Sequence, residues 1–160
     1  MRCFEVFAAM PREQAREVLR EIREKAPAAF QQGLLLACGA MKLRPVYLRG
    51  LPFEKQADAV RGALARVVSN AIAEELLAVY FLECHRPLLV AWLDAVGLSH
   101  KDGVLEDERP PQPDEAKLGE AVRGFLGGED PERRRLLLRA FCAQEPIEWP
   151  GLDALLAKGA

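Results

Sequence analysis

The chain has no threonine, three isoleucines and only two serines, Ser69 and Ser99, in 160 residues. Strand-favouring residues are therefore sparse beside an excess of Ala and Leu, which excludes a sheet-rich fold and predicts helices. The same shortage removes most nucleophiles. Neither serine stands in a G-x-S-x-G turn or an S-x-x-K spacing, so a serine hydrolase is not expected. Histidine occurs only at His85 and His100, and no C-x-x-C, H-x-x-x-H or E-x-x-H spacing is present. Metal ligation needs three or four convergent donors, so neither a metal nor a cofactor is expected. There is no G-x-x-x-x-G-K-[ST] or G-x-G-x-x-G, which excludes nucleotide binding of those types.

Charge of one sign is lacking too. The formal net charge is −2 with acids and bases intermixed, which provides no field to gather polyanions, so nucleic acid is not an expected partner. Membrane insertion is not expected either. The most apolar stretch, Leu76 to Leu98, is cut by Glu83, His85, Arg86 and Pro87 into runs too short to cross a bilayer. Glu5 interrupts the apolar N-terminal stretch that an export signal would need, so the expected location is the cytoplasm. Cys3, Cys38, Cys84 and Cys142 are then expected to be reduced thiols packed as small hydrophobes.

What the sequence does have is proline at helix starts, where the missing N–H costs nothing. Pro11 precedes Ala15, Val18, Leu19 and Ile22 on one helical face, and Pro27 precedes Phe30, Leu34, Ala37 and Cys38, with Gly33 and Gly39 weakening that helix. From Pro52 a stripe of Phe53, Ala57, Val60, Leu64, Val67 and Ala71 runs for more than five turns, with a break expected near Ser69. Between them, Arg44 to Leu51 reads as a connection with an internal proline. The runs Leu76–Leu82 and Leu88–Leu93 are apolar on every face and belong at the centre of a bundle. Pro87 separates them by leaving the Glu83 carbonyl without a helical donor, and Gly97 followed by Leu98 has the form of a left-handed cap. Further helices begin at Pro113, Pro131 and Pro150.

These signals predict an all-α bundle of six to eight helices around two apolar central ones, forming one domain over residues 1–160. The segment from Glu106 to Gln112 has no apolar residue and three prolines in or beside it, and is expected to be a mobile loop between the main bundle and the C-terminal helices.

The functional signals are weaker. Glu83, Cys84, His85 and Arg86 place ionisable groups between the most apolar runs, and a turn from Ser99 to Gly103 carries the second histidine. A pocket of Glu83, His85, Arg86, Asp94 and His100 could hold an anionic ligand or do acid-base chemistry. Asp94 lies in the last turn before Gly97, where the helix dipole disfavours an acid, so a partner is expected from His100, Lys101 or Arg86. Cys84 and His85 point about 100° apart on a helix and do not form a catalytic pair. Arg133, Arg134, Arg135 and Arg139 make a basic face, which the preceding Glu129, Asp130 and Glu132 can pair. With the catalytic signatures absent, the reading is a non-enzymatic interaction or regulatory module that binds another protein or itself. Its mark would be an exposed apolar patch near Tyr47 to Phe53. The alternative is a small-ligand site or enzyme using Glu83 to Arg86 and the His100 turn.

Overall fold

Proline marks most of the helix starts, as the sequence predicts, although the helix expected at Pro113 begins behind an Asp114 cap. The computed structural model describes residues 1–159, and among these the chain forms α1 Cys3–Ala9, α2 Arg12–Lys25, α3 Pro27–Met41, α4 Pro45–Arg49, α5 Phe53–Leu64, α6 Asn70–Val79, α7 Arg86–Val96, α8 Glu115–Leu126, α9 Pro131–Ala143 and α10 Pro150–Ala157. Pro11 and Pro52 are N-cap residues, while Pro27, Pro45, Pro87, Pro131 and Pro150 sit in first turns. The fold is all-α. Its ten helices exceed the expected six to eight because α1 and α4, of seven and five residues, are too short to show a helical period. Arg44 is extended, as a residue before proline should be, but Pro45 then opens α4 rather than continuing an irregular connection.

Contacts group the chain into two compact units, one spanning Arg2–Cys84 and the other beginning at His85. In the first, α2, α3, α5 and α6 bury Leu19, Ile22, Phe30, Leu34, Val60, Leu64, Leu76 and Leu77. Gly33 has a packing reason: a Cβ there would lie 2.9 Å from Cγ1 of Val60, so glycine lets α3 approach α5 closely. The long stripe after Pro52 breaks into a 3₁₀ turn at Val67–Ser69 before α6, as expected near Ser69. α6 ends in a π-helical turn, Tyr80–Cys84, short of Pro87.

Helix α1 is too short to stand alone. Both its ends are closed by remote side chains. Asn70 Oδ1 accepts from the Phe4 N–H at 3.2 Å, and Arg61 donates to the carbonyls of Ala8 at 3.2 Å and Met10 at 2.7 Å. These satisfy groups that a helix cannot pair internally.

In the second unit, α7 ends as its sequence predicts. Gly97 is left-handed (φ 73°), the Leu98 N–H donates to the Leu93 carbonyl at 2.9 Å and the Gly97 N–H to Asp94 at 3.1 Å, which is a Schellman cap. A two-stranded hairpin follows, pairing His100–Lys101 (β1) with Val104–Leu105 (β2). Asp102 and Gly103 form its loop with φ of 51° and 88°, the positive values that a tight hairpin turn requires. Trp92 is fully buried, with ring centroids 5.3 Å from Phe125 and 5.9 Å from Phe141, while Leu88, Leu89 and Val90 are only half-buried. Within the Glu106 to Gln112 segment, Pro110 is buried and its carbonyl accepts from the Trp149 indole at 2.8 Å. Gln112 Oε1 accepts from the Gly151 N–H, also at 2.8 Å.

Candidate functional site

Among the five residues singled out by chemistry, Asp94 and His100 meet. Asp94 Oδ1 lies 2.9 Å from His100 Nε2, and the Gly103 N–H donates to His100 Nδ1 at 3.2 Å. Nδ1 therefore accepts, which puts the ring proton on Nε2, where it is donated to Asp94. The expected partner of Asp94 is present, and it ties the end of α7 to the hairpin. Both ring nitrogens are committed, so this imidazole offers no free lone pair for proton abstraction. His85 is the N-cap residue of α7, with its backbone carbonyl accepting from Leu88 and Leu89, and Arg86 is exposed at the first position of that helix. Glu83 is exposed in the π-helical turn of the other unit. A surface hollow of about 680 Å³ adjoins Asp94, lined chiefly by Pro111, Gln112, Asp114, Lys117 and Glu120, and neither His85, Arg86 nor His100 lines it.

The other candidates are accounted for by packing. Arg133 pairs with Asp130 and Arg135 with Glu132. Arg134 donates to the carbonyls of Phe125 at 3.0 Å and Glu129 at 2.7 Å and lies over the Phe125 ring, closing the C-terminal end of α8. Cys3, Cys38 and Cys142 are buried, and burial pushes the Cys142 thiol up to about 11. Burial first, and Glu21 second, also raise Cys84, so neither is poised as a thiolate. Among the described residues no group of three or more Cys, His, Asp or Glu is arranged to hold a metal ion. No single helix among them is long and apolar enough to cross a membrane.

A different feature emerges around Tyr47, in the unit Arg2–Cys84. Helix α3 ends with Lys42 in a left-handed turn (φ 55°), where the Leu43 N–H donates to the Cys38 carbonyl at 3.0 Å and the chain folds back into α4. Leu48 anchors α4 in the core, which turns Val46 and Tyr47 outward. The Gln56 amide donates to the carbonyls of Arg49 at 3.0 Å and Leu51 at 2.9 Å, and Arg49 Nε donates to Gln31 at 3.2 Å, so α4 is pinned at its far end. Between α4 and α5 this leaves a groove of about 710 Å³. Ala59, Gly62 and Ala63 of α5 make a low floor, and Met41, Tyr47 and Leu51 line it as well.

Arg12, Lys55 and Arg66 also line the groove. Among the described residues Lys55 and Arg66 have no carboxylate partner. Asp58 is the one acid of the lining, and Arg16 takes both its oxygens at 2.9 and 2.8 Å. That charged hydrogen bonding holds the Asp58 carboxyl below its ordinary range. Tyr47 and Met41 are 58% and 52% exposed, whereas Phe53, at the other end of the expected patch, is covered by Arg23 and Arg20 and packs on Phe30. The sequence places an exposed apolar patch near Tyr47 to Phe53, but does not bring Arg12, Lys55 or Arg66 to it, since these come from elsewhere in the chain. No protein-family model, curated protein or solved structure is matched by the chain.

Proposed function

We propose that this chain is a non-enzymatic interaction module and that it docks a partner in the groove between α4 and α5. The observation that carries the reading is the placement of Tyr47: a large, amphipathic ring on a pinned helix, half exposed at the wall of a concavity lined by apolar and basic side chains. Aromatic side chains held in one orientation lose little entropy on association and commonly dominate binding energy. Met41 on the same groove is exposed as well, and Val67 and Val68 follow Arg66 with 61% and 90% exposure. Burying an apolar side chain contributes ~1.5–3 kcal/mol, so two or three such anchors supply useful affinity. The alternative, a ligand or catalytic site of Glu83, His85, Arg86, Asp94 and His100, has less support because the imidazole of His100 is committed at both nitrogens.

Binding of a neutral apolar dye, Nile red, tests the reading. The folded protein should enhance its emission, Tyr47→Asp should lose most of that enhancement, and Val104→Asp, at an exposed valine on the hairpin, should keep it. Equal loss in both variants, or none in Tyr47→Asp, would contradict a docking groove.

A further inference from the structure

We propose that the groove takes an acidic amphipathic segment of another protein, its apolar side chains on the floor between Met41, Tyr47 and Leu51 and its carboxylates facing Arg12, Lys55 and Arg66; this rests on the docking reading above. Charge complementarity identifies the occupant. The chain as a whole carries a formal charge of −2, yet the groove collects three cations against one acid. Arg16 takes both oxygens of that acid and Arg12 lies 3.9 Å from one of them, which leaves Lys55 and Arg66 without a carboxylate partner among the described residues. Lys42 and Arg44, exposed in the turn leading to Tyr47, extend the positive field. Screening confines such a field to roughly 8 Å at physiological ionic strength, so it acts on what sits in the groove rather than on passing polyanions.

The apolar half of the surface separates a peptide from other anionic partners. A nucleic-acid backbone would gain nothing from the alanine floor of α5, and a membrane surface is flat where this site is concave. A helix with Leu or Phe at one face and Glu at its flanks matches both properties, as helix-in-groove recognition requires. Complementary charge at the rim would speed encounter and reject basic segments.

The test uses three synthetic amphipathic peptides with identical Leu and Phe positions and Glu, Gln or Lys between them, read by fluorescence anisotropy against the full chain. The Glu peptide should bind most tightly and the Lys peptide least, although the net charge of the protein favours the reverse. Lys55→Glu with Arg66→Glu should weaken the Glu peptide about tenfold or more, with unchanged melting temperature, and added salt should weaken it in wild type. Equal or tighter binding of the Lys peptide would overturn the acidic partner, while loss of all three peptides in Tyr47→Asp would leave the docking reading standing. Binding of none of the peptides overturns the acidic segment, and the Nile red comparison then decides the groove separately. A single-stranded oligonucleotide or vesicles of phosphatidylserine and phosphatidylcholine bound through Lys55 and Arg66 in preference to the Glu peptide would overturn it as well. So would a concentration-dependent dimer abolished by Tyr47→Asp, since the occupant would then be a second copy.

Discussion

Asp58 lies in the groove, yet its charge is spent on Arg16, which holds it with two hydrogen bonds of 2.9 and 2.8 Å. A carboxyl whose native value is lowered stabilises the fold above the ordinary carboxylate range, and that contribution is lost as pH falls through the depressed native value. Asp58→Asn should therefore melt a few degrees below wild type at neutral pH, with the gap closing in acid. A gap that stays constant with pH would point to packing instead of charge. Asp94 shows how far single residues were legible in the sequence. An acid in the last turn before Gly97 called for a donor, and His100 was within reach once the cap turned the chain. The Gly103 N–H on the other ring nitrogen was not foreseen, because it depends on Asp102 and Gly103 both taking positive φ. The Asp-Gly pair was the signal that could have revealed that hairpin.

At the scale of elements, local chemistry announced the starts and ends, and remote chemistry decided the rest. The prolines and Gly97 act within a few residues of themselves, so they could be read directly. The caps of α1 could not, since Asn70 and Arg61 are more than fifty residues away from most of it. The two glycines of α3 make the same distinction measurable. Gly33→Ala would drive a Cβ to 2.9 Å from Val60, and overpacking of this kind costs ~1–3 kcal/mol against a smaller gain in helix propensity. Gly39 has nothing within 4 Å, so Gly39→Ala should stabilise by ~0.5–1 kcal/mol. Denaturant unfolding of both variants checks the pair, and Val60→Ala should relieve Gly33→Ala. Equal effects at the two glycines would contradict the packing described.

Arg134 belongs to this scale too, because it closes α8 from α9. Arg134→Ala should cost ~2 kcal/mol through two lost carbonyl bonds and the contact with the Phe125 ring, and Arg134→Lys should recover only part of it. A loss under ~0.5 kcal/mol, typical of a solvated surface arginine, would reject that role. Proteolysis addresses the loop. Pro110 and Gln112 are tethered to Trp149 and Gly151, so cleavage by a Glu-specific protease should begin at Glu106 or Glu108 in the native protein. First cleavage at Glu120 or Glu132, inside helices, would contradict this.

Across the molecule, composition was the most legible layer: no Thr and few Ile, much Ala and Leu, and an all-α structure. The groove was the least legible, because its walls and cations come from Arg12, Met41, Tyr47, Lys55 and Arg66, which lie far apart along the chain. Only the apolar patch expected near Tyr47 to Phe53 hinted at it. The unequal distribution of charge, cationic at this groove within a chain of net charge −2, is likewise a property of folding rather than of sequence order. Backbone amide shifts recorded while the Glu peptide is titrated into the isotope-labelled protein report on the docking groove itself. Docking between α4 and α5 predicts shifts concentrated at Met41 to Leu51 and Lys55 to Arg66 and abolished by Tyr47→Asp; shifts concentrated instead at His85, Asp94 and His100, or spread without focus, would contradict it.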